Sequence, residues 1–154
     1  MPKLHTVHFG TLDYDEQALI EFPAGLPAFD QERLFLPFEP GSSKPFLFLQ
    51  SLARPDLVFV TLPVELIDPA YQLTLAPEDL ALLGVEETAP LRLGREVLCL
   101  VIVTLREDRP PTANLMSPLV VNLANRRAAQ VIQTETGYSH QHSLAGPAQE
   151  VPCS

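Results

Sequence analysis

Sixteen prolines run through a chain of 154 residues. Each one removes a backbone donor and fixes φ, so each marks a segment boundary or a sheet edge. The chain is thereby cut into pieces of strand length. LHTVHF (4–9) alternates and is followed by Gly10, ALIEF (18–22) precedes the turn-like PAGLP, RLFLPF (33–38) precedes EPGSSKP, and FLFLQS (46–51) precedes ARPD. DLVFVTL (56–62) is β-branched and aromatic, and EVLCLVIVTL (96–105) is too apolar to have a solvent-facing side. LVVNL (119–123) and AAQVIQTET (128–136) are separated by ANRR. Seven or eight short strands at regular spacing predict an all-β, mainly antiparallel domain, either a sandwich or a small barrel.

One helix is written plainly in APEDLALLG. Pro77 suits the first helical position, Glu78 and Asp79 favour the positive end of the dipole, Leu80, Leu82 and Leu83 supply an apolar face, and Gly84 is placed to end it. At about two turns it depends on packing against the sheet. VELIDPAY (64–71) carries a weaker signal for a second helical turn. A single domain is expected over 1–139, with 140–154, polar, small and proline-bearing, as a flexible C-terminal tail.

The apolar content of 46% suffices for a buried core. No apolar run approaches the roughly 20 residues that span a bilayer, and MPKLHTVHFG lacks a secretory h-region, so a soluble cytoplasmic protein is expected. Two cysteines are too few for a disulfide framework or a cysteine-rich zinc site. Cys99 reads as an inert core thiol and Cys153 as a free tail thiol. The formal charge of minus 9 argues against nucleic acid as a direct ligand, because phosphate binding needs clustered Lys and Arg. An oligonucleotide-binding barrel is disfavoured on the same ground. The charge is also uneven. From Asp13 to Pro90, 14 acidic residues stand against Arg33, Lys44 and Arg54, a net of minus 11, whereas from Leu91 onward five acidic residues face six arginines, a net of plus 1. An acidic first half suits a basic partner or simply a solubilising surface.

Candidates for catalysis are few. G-x-S-x-G, G-x-x-x-x-G-K and G-x-G-x-x-G are all absent, so hydrolase, P-loop and dinucleotide readings have no support and no cofactor is expected. His5 and His8 point to opposite faces of a strand, and the pairs Glu78/Asp79, Glu86/Glu87 and Glu107/Asp108 read as solvated charge. His140 and His142 would share a face if extended. They keep open an alternative reading as a small metal-binding protein or enzyme. Gly25 in PAGLP serves a turn needing positive φ. Polar residues embedded in apolar runs, namely Gln50, Ser51, Asn114, Asn122 and Gln130, either anchor loops through side-chain to backbone bonds or face a partner. Met116, taken as exposed beside Leu115 and Pro118, suits an adaptable protein-binding edge.

The order FGTLDYDEQALIEFPAGLPAF, PFLFLQSLARPDLVFV, TANLMSPLVVN, AQVIQTETGY resembles the FliW family of bacterial flagellar assembly factors over residues 7–144. Phe22, Pro23, Gly25, Leu26 and Phe29 stand where the family has F-P-x-G-[LI]-x-G-F, with Ala28 in place of the usual glycine. Leu49, Gln50 and Ser51 match L-Q-S, and Asp56 and Phe59 match P-[DE]-x-x-F. Thr61-Leu62-Pro63-Val64 departs from the Asp-Pro step that commonly follows. Asn114, Pro118 and Asn122 match N-L-x-[AS]-P-[IVL]-x-[IV]-N, and Gln130 matches the glutamine of Q-V-I. The resemblance implies a non-enzymatic, β-barrel-like binding protein. It also implies that the protein binds flagellin and the translational regulator CsrA, relieving CsrA's repression of flagellin synthesis by partner exchange. Gln50, Asp56, Asn114 and Asn122, with Met116 as an apolar anchor, are the expected partner-binding residues.

Overall fold

The computed structural model describes residues 2–26, 31–39, 45–86, 92–133 and 137–144. Ala28 and Phe29 of the family signature, Cys153 and residues 145–154 of the expected tail lie outside these.

The described residues form β1 (Lys3–Thr6), β2 (Gly10–Asp13), β3 (Ile20–Glu21), β4 (Leu34–Phe38), β5 (Leu47–Ser51), β6 (Val58–Pro63), α1 (Pro77–Leu83), β7 (Val97–Arg106), β8 (Arg109–Ala113), β9 (Leu119–Asn122), β10 (Ala128–Gln130) and β11 (His142–Ser143), with 3-10 turns at Glu16–Ala18 and Val64–Leu66. Antiparallel pairs run in the order β10-β9-β7-β6-β5-β4-β3, while β8 pairs with the far half of β7 and β11 with β8. The ends of this path meet at a seam. Glu21 of β3 makes a parallel bridge to Arg127, just before β10, and its N–H donates to the Arg126 carbonyl at 2.9 Å. One bridge is not a ladder, so the sheet is barrel-like without being closed into a barrel. The all-β, mainly antiparallel expectation holds, as do α1 and the helical turn after Pro63.

β7 explains the layers. Its side chains alternate, and both sides are covered. Leu98, Leu100 and Ile102 face the interior built on Ile20, Phe22, Leu26, Phe35, Leu49, Leu119 and Val121. Val97, Cys99, Val101 and Val103 face a second cluster with Val64, Tyr71, Leu83, Leu115 and Val131. This is why the run shows no polar period up to Val103. Beyond it, Thr104 and Leu105 are exposed.

Pro37 lies inside β4, Pro110 and Pro111 lie inside β8, and Pro63 is the last paired residue of β6. Pro37 pairs with Leu49 and Pro63 with Leu100, each at a point where its strand has a neighbour on one side only. The missing N–H therefore breaks no ladder. The segment read as tail begins with pairing: His142 is opposite Ala113 and Ser143 opposite Thr112.

Cys99 has no accessible surface, and burial pushes its thiol up to about 12, with Glu65 adding to the effect. With Cys153 changed to serine, the folded protein is expected to leave a disulfide reagent such as Ellman's unreacted at pH 8 and to release one equivalent in denaturant. Rapid reaction of the native variant would contradict a sealed outer layer.

Candidate partner-binding surfaces

Gln50 is fully buried at the end of β5, and its Nε2 donates to the carbonyls of Ser51, Arg54 and Pro55 at 3.1, 3.1 and 3.2 Å. Its Oε1 has no hydrogen-bond partner among the described residues. Ser51 Oγ accepts the Arg54 N–H and donates to Glu32, and Ser51 N–H reaches the Leu57 carbonyl at 2.9 Å. The β5–β6 loop is thus folded around one amide. Val7 N–H from the tip of the β1–β2 hairpin donates to the Pro55 carbonyl at 2.9 Å, and a ring nitrogen of His8 lies 3.3 Å from the Asp56 carbonyl. The loop displays Asp56, which is exposed and 3.5 Å from the Arg54 guanidinium. Gln50 and Asp56 therefore belong to one unit, the first as its inner tether.

Asn122 caps α1 instead of facing solvent. Its Nδ2 donates to the Leu83 carbonyl at 2.9 Å and its Oδ1 accepts the Ala124 N–H at 3.0 Å, while Asn125 Nδ2 reaches the same Leu83 carbonyl at 3.1 Å. These bonds satisfy the free carbonyl end of the helix, which closes on Gly84 at φ +70°.

Asn114 organises a third site. Its Oδ1 accepts the N–H groups of Met116 and Ser117 at 3.1 and 3.0 Å, an Asx turn. Met116 is half-buried, not exposed, because its backbone sits within a brace. The Met116 carbonyl accepts the Gln133 N–H at 2.7 Å, Tyr71 Oη donates to the Leu115 carbonyl at 2.5 Å, and Gln130 Nε2 reaches Ser117. Gln133 in turn clamps both backbone groups of Thr74, at 2.8 and 2.7 Å. The Tyr71 ring stacks on Tyr138 at 4.2 Å, and burial raises the Tyr71 hydroxyl above its ordinary value. Sequence reading missed Gln133 and Tyr71, since neither stands in an apolar run whose period it breaks.

The polar residues embedded in strands thus do anchor loops through the backbone. They occupy three separate places, the Asp56 loop, the α1 cap and the Asn114 turn, and do not form one constellation. Elsewhere, a surface groove of about 590 Å³ lies over the seam, where Leu19, Leu34 and Leu52 are flanked by Glu16 and Glu21 on one wall and Arg126 on the other. Leu34, 39% exposed, is the apolar floor that water reaches. The acidic wall belongs to the half of the chain with the net charge of minus 11.

Histidine chemistry gains nothing from the geometry. His5 bonds Thr11 Oγ1 at 2.9 Å, and His140 lines a cavity that His142 does not. Among the described residues no group of three or more His, Cys, Asp or Glu side chains is placed to hold a metal ion, and no helix is long and apolar enough to cross a membrane.

Comparison with known proteins places these features in context. Residues 3–144 match the model of the FliW protein family. The flagellar assembly factor FliW of Syntrophomonas wolfei is 34% identical over 148 residues, covering 96% of this chain and 91% of that protein. That of Heliobacterium modesticaldum is 34% identical over 143 residues, covering 92% and 90%, and that of Bacillus subtilis 28% over 144 residues, covering 93% and 96%. A crystal structure of the flagellar assembly factor FliW superposes with a TM-score of 0.80 at 30% identity, over 93% of this chain and 96% of that one.

Proposed function

The chain belongs to the FliW family of flagellar assembly factors, and from that premise we propose that it is a non-enzymatic cytoplasmic protein that binds flagellin and the translational regulator CsrA. Binding CsrA relieves repression of flagellin synthesis, and flagellin competes for the factor, so that free flagellin and translation are coupled. The observation that carries the reading is family membership across nearly the whole chain, residues 3–144.

Charge supports the regulator as a partner. An RNA-binding protein carries a basic surface, and an acidic domain with a net of minus 11 between Asp13 and Pro90 attracts it. Docked beside the RNA site, the same charge repels phosphates over about one Debye length, roughly 8 Å. Glu16 and Glu21, exposed beside the apolar floor of the seam groove, are the acidic side chains we assign to this contact. Asp56 and the Asn114–Met116 turn, both displayed on braced loops, remain assigned to partner binding. Gln50 and Asn122 act through the loop and helix they hold.

Purified protein is expected to capture both flagellin and CsrA in a pull-down, and loss of both would sink the reading. CsrA affinity should fall steeply as salt rises. Changing Glu16 and Glu21 together to lysine should weaken it about tenfold or more at low salt, flatten the salt dependence, and leave the melting curve in place. An affinity indifferent to salt would exclude charge as the driver.

A further inference from the structure

The cavity lined by His140 carries Arg109 as its charged side chain among the described residues. It lies where the inner face of the sheet runs past the end of the barrel-like core. On β7, Ile102 still packs against the interior cluster, but the next residue on the same face is Thr104. Thr104 is directly opposite Thr112 of β8, and Thr112 is directly opposite Ser143 of β11. Directly paired residues share a face, so three hydroxyl side chains stand in one row across three strands. All three line a cavity of about 380 Å³, together with Asn114, Arg109 and His140.

The groups on offer include several that can donate. The hydroxyls of Thr104 and Thr112 have no hydrogen-bond partner among the described residues. Asn114 Oδ1 is occupied by the Met116 and Ser117 N–H groups, which leaves its Nδ2 for the cavity. Among the described residues Arg109 is held only by its neighbour Asp108 at 4.0 Å, with both side chains largely exposed, a contact that contributes little. Among the described residues no carboxylate lines the cavity. An apolar floor at Ile102, a row of neutral donors and one guanidinium suit a compact anion with two coplanar oxygens.

We propose that this cavity binds the carboxylate of an acidic side chain presented by a partner protein. A chain of net charge minus 9 with one arginine at the site opposes a polyanion, whereas a single carboxylate matches one guanidinium and the neutral donors around it. That a protein supplies the carboxylate rests on the reading of the chain as a protein-binding factor. The chemistry of the cavity does not.

The test uses the full chain, ¹⁵N-labelled and followed by NMR, with blocked N-acetyl-glutamate amide as the probe. Its neutral counterpart, blocked N-acetyl-glutamine amide, and inorganic phosphate form the other arms. Saturable shifts confined to the amides of Thr104, Thr112, Asn114, His140 and Gln141 are expected with the glutamate probe and not with the glutamine one. Arg109→Gln should weaken the probe about tenfold. The double variant Thr104→Val/Thr112→Val should weaken it further, with unchanged melting curves in both cases. No localised response, an equal response to glutamine, tighter binding of phosphate, or indifference to Arg109→Gln would each overturn the proposal. Pull-downs of flagellin and CsrA run on the same preparation keep the two readings apart. Saturable glutamate binding without capture of either protein supports the cavity and removes the functional reading, whereas capture without glutamate binding removes the cavity alone.

Discussion

Phe35→Ala is expected to cost about 3–5 kcal/mol of stability, the range for truncating a fully buried aromatic ring. Phe35 has no accessible surface, meets Phe22 edge-on at 5.5 Å and 83°, and lies 5.8 Å from Phe59. Its backbone position joins the seam to the sheet, since it pairs with Ile20 of β3 on one side and Ser51 of β5 on the other. The ring therefore fills the interior at the point where the barrel-like sheet has only one bridge to hold it together. Domains of this size have a net stability of about 5–15 kcal/mol, so the loss consumes a large share of it. It should lower the melting temperature by about 10 °C or more. Urea unfolding is the direct measurement, with the midpoint falling and the slope unchanged. Leu34→Ala, one residue away, is the control. Leu34 opens onto the groove, and its loss should change stability by about 0.5 kcal/mol or less. Equal effects at the two positions would contradict the assignment of Phe35 to the interior.

The contrast between Leu34 and Phe35 also shows what the sequence reveals and what it hides. The apolar runs at 34–38, 47–51, 58–63 and 97–106 announce themselves because a strand buried on one or both faces must be apolar at every second or every position. Pro77, the following acids and Gly84 announce α1 for equally local reasons. Three strands were not legible. β2 is polar and only four residues long, so its pairing with β1 leaves no hydrophobic pattern. β8 reads RPPTA, and two prolines argue against a strand; the ladder tolerates them because pairing with β7 shifts register between Thr104 and Arg106, leaving both without a paired residue. β11 is two residues in a polar stretch and exists only because β8 presents a free edge. The donor-lined cavity depends on β8 and β11, so it was invisible for the same reason. The site residues fared differently. A polar residue in an apolar run signals that something must satisfy it, and Gln50, Asn114 and Asn122 were found by that signal. Whether the partner is a neighbouring loop or another protein is a question of long-range geometry, which pattern does not carry.

Gln50 allows that question to be put to an experiment with a definite sign. Its amide supplies two protons to three carbonyls, and nothing in the described structure donates to Oε1. Gln50→Glu keeps the shape and removes the donors at neutral pH. The carboxylate would sit fully buried among the carbonyls of Ser51, Arg54 and Pro55, so both desolvation and the carbonyl dipoles favour its protonated form and raise its pKa in the folded state. The folded state then binds a proton that the unfolded chain has released. Stability relative to the parent is greatest below the unfolded pKa, about 4.3, and declines by about 1.4 kcal/mol per pH unit as pH rises from there toward the folded value. This direction is opposite to that of the exposed carboxylate of Asp13 and the half-buried one of Glu96. Lys3 and Arg92 hold those two below their usual range, so any contribution they make fades as pH falls. Gln50→Leu separates the charge from the lost hydrogen bonds. It strands the same three carbonyls and should cost about 2–4 kcal/mol with no added pH dependence. The readout is the urea midpoint of both variants at pH values from about 4.5 to 8, alongside pull-down of flagellin and CsrA near the lower limit, where the glutamate is neutral and the loop retains one donor. If partner capture survives there and disappears as the loop unfolds with rising pH, Gln50 acts on binding through the loop that displays Asp56. Capture lost at every pH while the fold stays intact would instead make the side chain itself part of the contact.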